Sequence, residues 1–159
     1  MNKTIIDYLS AIANVILILG LPIAVIQYIS TTKKEKKDRE YETYNSLDEK
    51  YVEWEKLCLE YPQLDIYDVK DSIPPVLNAK EKKEEMILFT ILFSIFERAY
   101  ILYSDESTQM KKDQWIGWHL YITNYCQRDN FRQAWRVTGA TFDDRFQKYM
   151  KENMEKNAK

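Results

Sequence analysis

The stretch "NVILILGLPIAVIQYISTTKKEKKDRE", residues 14–40, joins a long apolar run directly to a block of charge. The run belongs to a segment of 22 residues without charge, from Tyr8 to Ile29. As a helix this segment would be about 33 Å long, close to the ~30 Å of hydrocarbon in a bilayer. A soluble core helix would also carry a broad polar face. The polar residues of this segment are Ser10, Asn14 and Gln27. The segment therefore predicts a transmembrane helix.

The charges on either side of this segment predict its orientation. Lys3 is the only basic residue before it, whereas five basic residues follow within a short distance: Lys33, Lys34, Lys36, Lys37 and Arg39. Secretory signal peptides carry their charge in front and end at small residues, and this segment shows neither feature. By the positive-inside rule we expect an uncleaved anchor with its N-terminus outside and the chain from residue 33 onward in the cytoplasm.

One side of the predicted anchor carries small and polar residues. On a helical wheel Gly20 and Ala24 share a sector with Gln27, with Asn14 beside them, and the opposite sector is purely lipophilic. A small-xxx-small pair lets two helix backbones approach closely, and an amide side chain can hydrogen-bond across such a contact. Since the chain has one predicted span, the partner would be another chain. Asn14, Gly20 and Ala24 thus predict a homo-oligomer through the membrane helix, the alternative being a passive anchor.

The composition favours an all-α protein. The 159 residues are 45% hydrophobic and 30% charged, with only three glycines and four prolines to form turns. The formal charge of −2 argues against nucleic acid as a partner of the whole domain. Cys58 and Cys126 lie far apart and form no CxxC motif, so we expect reduced thiols rather than a disulfide or a zinc site.

The rest of the chain predicts a helical bundle of four to five helices. An apolar stripe with helical spacing runs from Tyr41 to Tyr61 and ends before Pro62. It can continue directly from the membrane span, because nothing between residues 30 and 39 breaks a helix. The apolar run Met86–Phe96 is too short for a second span and predicts the most buried helix of the domain.

Three further helices are expected toward the C-terminus. The first covers residues 110–126, and the second covers residues 131–137 and ends at Gly139 in a left-handed conformation. Thr141 is expected to cap the last helix, residues 142–154. The predicted organisation is a transmembrane anchor over residues 1–32, a cytosolic α-helical domain over 33–154, and a frayed tail over 155–159.

The sequence contains no convincing catalytic motif and predicts no metal or cofactor. Its single histidine, His119, lies in an aromatic helix and has no evident nucleophile as a partner. HEPN ribonucleases place an arginine four to six residues before a histidine, and no arginine lies there. We therefore expect a protein that is not an enzyme and has no catalytic residues.

Residues 126–136, "CQRDNFRQAWR", carry a basic stripe. Arg128, Arg132 and Arg136 are spaced four apart with Phe131 and Trp135 between them. Arginines near aromatic rings can bind phosphate groups. The stripe predicts either a set of solvated or ion-paired side chains or a binding site for an anionic partner, such as a lipid headgroup, a nucleotide or RNA.

Four segments carry a resemblance: "IIDYLSAIANVILILGLPIAVIQYI", "DREYETYNSLDEKYVEWEKLCLEYPQLDIYD", "ILFSIFERAYILY" and "QWIGWHLYITNYCQRDNFRQAW". Together they resemble a broad group of uncharacterised small bacterial single-pass membrane proteins. In layout alone, the chain is also similar to the membrane accessory protein of type VI-B CRISPR systems. The first resemblance implies the inner membrane of a bacterium, and the second implies oligomeric assembly and a role in antiviral defence.

The expected function is a membrane-anchored, self-associating effector or scaffold without enzymatic activity. The alternative is a membrane-tethered sensor or adaptor whose bundle binds a cytosolic protein, a nucleotide or RNA. In both cases the lipid bilayer is an expected partner.

Overall fold

The structure, a computed structural model, describes residues 3–67 and 75–156, with side chains for Tyr8 and from Pro22 onward. Within these ranges the chain is all-α, as predicted, and contains no strand. Its helices are α1 (Lys3–Glu60), α2 (Ala79–Tyr103), α3 (Gln109–Tyr125), α4 (Asp129–Thr138) and α5 (Asp144–Lys156), with a 3-10 turn at Gly139–Thr141 between the last two.

The chain divides into two compact units, Met1–Asn45 and Ser46–Lys159. This division falls later in the chain than the predicted one between residues 32 and 33. Helix α1 is continuous through Pro22, and every side chain from residue 22 to 39 is exposed. Tyr41 was expected in the buried stripe, but it belongs to the first unit and is 48% exposed. Among the described residues, burial of the stripe begins at Leu47, in the second unit.

Local hydrogen bonds explain where the helices of the second unit begin. Asn78 precedes α2, and its Oδ1 accepts hydrogen bonds from the backbone N–H groups of Lys80 (2.9 Å) and Glu81 (3.0 Å). Glu81 Oε2 in turn accepts from the Asn78 N–H at 2.7 Å, which completes a capping box. The Thr108 hydroxyl caps α3 by accepting from the Lys111 N–H at 3.2 Å. The C-terminal end of α1 is at Glu60, two residues before Pro62, as predicted.

Two predictions about the C-terminal turn are wrong. Gly139 has φ −58°, in the right-handed region, and the chain continues from it into the 3-10 turn. Thr141 does not cap α5, because its hydroxyl donates to the Thr138 carbonyl at 2.8 Å. The residue before α5 is Asp143, and its Oδ1 accepts from the Arg145 N–H at 3.0 Å. Helix α5 then extends through Lys156, into the predicted tail, and residues 157–159 lie outside the described part.

Helix α2 forms the middle of the second unit. It contacts α3, α4 and α5. Its eight buried residues are Leu88, Phe89, Leu92, Phe93, Ile95, Phe96, Ala99 and Tyr103. The Phe93 ring lies 4.7 Å from the Phe131 ring and 5.0 Å from the Trp135 ring, centroid to centroid, in edge-to-face contacts with α4. On the other side, the Trp54 indole of α1 donates to the Leu88 carbonyl at 3.3 Å.

By length and composition, α2 could also cross a membrane, whereas most side chains of the predicted span at residues 8–29 lie outside the described set. The core helix of a soluble domain passes the same test, so burial has to distinguish the two cases. Eight side chains of α2 are buried against helices of their own unit, whereas Ile87, Ile91 and Ile101 are exposed. This burial agrees with the interpretation of Met86–Phe96 as the core of the bundle.

Gly139 lies in close contact with Trp135, and this contact leads to a prediction about stability. A Cβ atom on Gly139 would lie 2.6 Å from Trp135 Cε2 and 2.9 Å from Cδ2. The indole cannot easily move, because it is stacked on Phe142 with ring centroids 5.4 Å apart. We expect Gly139→Ala to lower the free energy of unfolding by about 1–3 kcal/mol, measured by denaturant titration of the full-length chain in a mild detergent.

Gly117→Ala is the matched control. Gly117 lies on an exposed part of α3, and its Cβ would meet nothing within 4 Å. Because alanine favours a helix over glycine, this variant should gain about 0.5–1 kcal/mol. If Gly139→Ala were as stable as Gly117→Ala, the Trp135 indole would have moved aside without lowering the free energy of unfolding.

Candidate functional site

The three arginines of the predicted stripe have different surroundings. Arg128 lies in the turn between α3 and α4 and donates to two backbone carbonyls, those of Tyr67 (2.8 Å) and Asp65 (2.7 Å). Its Nη2 also forms an ion pair with Asp65 Oδ1 at 2.7 Å. The Arg128 and Asp65 side chains are only 13% and 16% exposed, so this pair is largely removed from water. Arg128 therefore holds the connection that follows α1 in place.

Asn130 and Glu85 extend this contact into a polar anchor, which consists of Asp65, Glu85, Arg128 and Asn130. Asn130 Nδ2 donates to the Asp65 carbonyl at 2.7 Å and to Glu85 Oε1 at 3.0 Å. Burial raises the pKa of the Glu85 carboxyl, while the hydrogen bond from Asn130 acts in the opposite direction. The polar anchor thus joins the residues that follow α1 to helices α2 and α4.

A row of tyrosines joins the same connection to α1 and α3. The Tyr51 hydroxyl donates to the Tyr121 hydroxyl at 2.6 Å, and the Tyr121 and Tyr125 hydroxyls lie 3.5 Å apart. Tyr125 then donates to the Ile66 carbonyl at 3.1 Å. Burial raises the pKa of all three phenols, so they remain protonated at neutral pH. As neutral phenols, Tyr51 and Tyr125 donate these hydrogen bonds within the domain.

Arg132 ties the end of α3 to the start of α4. Its Nη1 donates to the carbonyls of Cys126 (3.0 Å) and Gln127 (3.1 Å), and its Nη2 pairs with Asp129. The carbonyls at a helix C-terminus lack partners within the helix, and a cation there is favourable. Arg132 therefore has a structural role, although its side chain remains 17% exposed.

Arg136 is exposed, and no described residue forms an ion pair or a hydrogen bond with it. It lines a cleft of about 770 Å³ formed by α4, the 3-10 turn and α5. The charged side chains of this α4–α5 cleft are Asp129, Arg132, Arg136, Lys148, Lys151 and Glu155. The predicted anionic site is thus divided, with Arg128 in the polar anchor, Arg132 partly engaged, and Arg136 open to a ligand.

Other candidate groups are committed to structural contacts. His119 Nδ1 and the Tyr149 hydroxyl are hydrogen-bonded at 2.6 Å at the exposed edge of α3. Burial raises the pKa of the Cys58 and Cys126 thiols to about 12, which keeps them protonated. Glu97 Oε1 accepts from the Asp143 N–H at 2.6 Å. Across the described ranges, no group of three or more His, Cys, Asp and Glu side chains is placed to hold a metal ion.

The proposed oligomerisation residues lie largely outside the described side chains. This holds for Asn14 and Gly20, whereas Ala24 is described and exposed. Lys148 and Lys151 also line the α4–α5 cleft, although neither is among the predicted site residues. Their spacing of three on a predicted amphipathic helix places them on one face, and this signal was available in the sequence.

Comparisons with known proteins add no assignment. No family model, curated protein or solved structure matches this chain. The resemblances to small bacterial single-pass proteins and to the type VI-B accessory protein therefore stay predictions.

The buried position of Arg128 leads to a test that separates the arginines. Replacing Arg128 by methionine keeps a long side chain but leaves the Asp65 carboxylate buried without this cation. We expect Arg128→Met to lower the free energy of unfolding by about 3 kcal/mol, because a buried carboxylate that loses its cation is less well compensated. The measurement is denaturant unfolding of the full-length chain, followed by circular dichroism.

Arg136→Met serves as the control, with the same chemical change at an exposed site on α4. It should alter stability by no more than about 0.5 kcal/mol. If Arg128→Met and Arg136→Met lowered the free energy of unfolding equally, the different roles assigned to the two arginines would be contradicted.

Proposed function

We propose that this chain is a single-pass protein of a bacterial inner membrane, with residues 8–29 as its anchor and the helical domain in the cytoplasm. The observation that carries the proposal is the exposure of large apolar residues near the end of this segment. Ile23 is 54% exposed, Val25 51%, Ile26 67%, Tyr28 73% and Ile29 47%.

The positions of these residues around the helix support a lipid environment. Successive residues are rotated by roughly 100°, so Ile23, Val25, Ile26 and Tyr28 point in well-separated directions. An amphipathic helix that packs on a soluble domain has one apolar stripe, whereas a helix apolar on all sides requires a core or a membrane around it. A bilayer would cover all of these side chains at once.

The charged run after the segment supports the cytoplasmic placement of the domain. Residues 33–39 contain five basic and two acidic side chains, and all are exposed. Basic residues next to a span remain on the cytoplasmic side and are attracted to anionic lipid headgroups.

We further propose that the protein acts as a self-associating scaffold or effector without enzymatic activity. The Gly20-xxx-Ala24 pair and Asn14 support association between membrane helices. The commitment of His119, the cysteines and the buried tyrosines to structural contacts supports a function other than catalysis. Antiviral defence is the biological setting that the layout resemblance implies.

A second candidate function is a membrane-tethered sensor or adaptor. The α4–α5 cleft favours it, because exposed cations in a concave surface can bind a ligand without any chemical reaction. The two functions are compatible, since ligand binding by the domain could control assembly of the anchor.

The membrane assignment predicts how the chain fractionates. The full-length chain should stay with membranes in alkaline carbonate and be released by detergent, whereas a chain starting at Glu40 should be released without detergent. Protease added outside spheroplasts should spare the helical domain. Release of the full-length chain by carbonate alone would contradict the span, and digestion of the domain in sealed spheroplasts would contradict the orientation.

Self-association predicts a difference between two variants of the anchor. Gly20→Leu should separate the helix backbones and raise the dissociation constant about tenfold, as expected for the loss of 1–2 kcal/mol of helix packing. Ile23→Leu keeps the same bulk on the lipophilic side and should leave association unchanged. The measurement is sedimentation equilibrium in density-matched detergent, and a monomeric native chain would leave the sensor as the remaining function.

A further inference from the structure

The α4–α5 cleft carries a positive charge that its own carboxylates do not neutralise. Its four cations are Arg132, Arg136, Lys148 and Lys151, and its two carboxylates are Asp129 and Glu155. Asp129 pairs with Arg132, and Glu155 lies 3.9 Å from Lys151. Arg136 and Lys148 are both exposed, and neither has a carboxylate partner among the described residues. The cleft thus has two more cationic than anionic side chains, although the whole chain has a formal charge of −2.

The apolar wall of the cleft limits which ligands fit. Trp135 lines it, but one face of its indole is stacked on Phe142 and Gly139 lies against the ring as well. With these contacts in place, the ring offers little open face on which a nucleobase could stack. Its Nε1–H has no acceptor among the described residues. Groups of this kind are suited to an anion, which needs charge and hydrogen bonds, rather than to a base, which needs an open aromatic face.

We propose that the α4–α5 cleft binds an anionic phosphate group, with Arg136 and Lys148 as its principal binding residues. The volume of about 770 Å³ leaves room for a ligand larger than phosphate alone, within the ~300–1,000 Å³ typical of small-molecule sites. The phosphate can belong to a soluble ester or to an anionic lipid headgroup, since both present the same oxygen atoms. This inference does not depend on the membrane anchor or on self-association.

The test uses the full-length chain in non-ionic detergent micelles, which suit it whether or not it spans a membrane. Inorganic pyrophosphate is the soluble probe, and binding is measured by isothermal titration calorimetry. Hydrogen exchange is followed over residues 132–154. We expect saturable binding with protection of this region. In the double variant Arg136→Gln/Lys148→Gln the dissociation constant should rise at least about tenfold, because each lost partner contributed a charge-assisted hydrogen bond.

The matched control is the double variant Arg98→Gln/Lys112→Gln. It removes the same net charge from exposed positions on α2 and α3, neither of which lines the cleft. It should bind pyrophosphate within about twofold of the native chain, since distant exposed charges are screened by salt. Both double variants alter exposed side chains, so thermal unfolding should show that each remains folded.

A second experiment, with lipid, identifies the source of the phosphate. Micelles containing phosphatidylglycerol are compared with micelles containing phosphatidylcholine, and hydrogen exchange over residues 132–154 is measured in both. If pyrophosphate slows hydrogen exchange in the native chain but not in Arg136→Gln/Lys148→Gln, the ligand is a soluble phosphate. Protection by phosphatidylglycerol alone, lost in the same variant, supports a lipid headgroup. Absence of protection in both arms, or an equal loss of binding in the two double variants, would overturn the proposal.

Discussion

The edge-to-face contact between Phe93 and Phe131, at 4.7 Å, lies where the second unit of the chain comes together. Phe93 belongs to the long apolar helix α2 and Phe131 to the short helix α4, which is too short to be stable alone in water. Both rings are fully buried. Helix α4 therefore depends on the core that α2 provides. Because α4 also carries Arg136, the geometry of the α4–α5 cleft depends on the same aromatic contact.

Around this apolar centre, polar groups fix the one irregular connection that the structure partly describes. Arg128, Asn130 and Tyr125 all donate to backbone carbonyls of residues 65–67. Buried carbonyls outside regular structure require such donors, because an unpaired buried carbonyl is costly. The polar anchor and the tyrosines thus supply hydrogen bonds that a helix would otherwise provide within itself. Many hydrogen-bonding side chains of the domain are therefore engaged in contacts within it.

Apolar periodicity and the position of Pro62 made much of the fold predictable from the sequence. The apolar run at Met86–Phe96 predicted a buried helix, and Pro62 predicted the end of α1. The role of Gly139 was not predictable, since a glycine near a helix end can serve a left-handed turn or a close contact, and only the position of Trp135 distinguishes them. Likewise, Arg128 and Arg136 look equivalent in a stripe with a spacing of four. They differ because Asp65, distant in sequence, lies beside only the first.

The two buried cysteines have a practical consequence for experiments on residues 8–29. Cys58 and Cys126 are the only thiols of the chain, and in the folded protein they are shielded from solvent and protonated at neutral pH. Thiol reagents act on exposed thiolates, so the native chain offers them almost no target. A single cysteine introduced along residues 8–29 would then be the one reactive position. Spin labels, maleimide dyes and disulfide cross-links could report on that helix directly, without first removing either native thiol from the core.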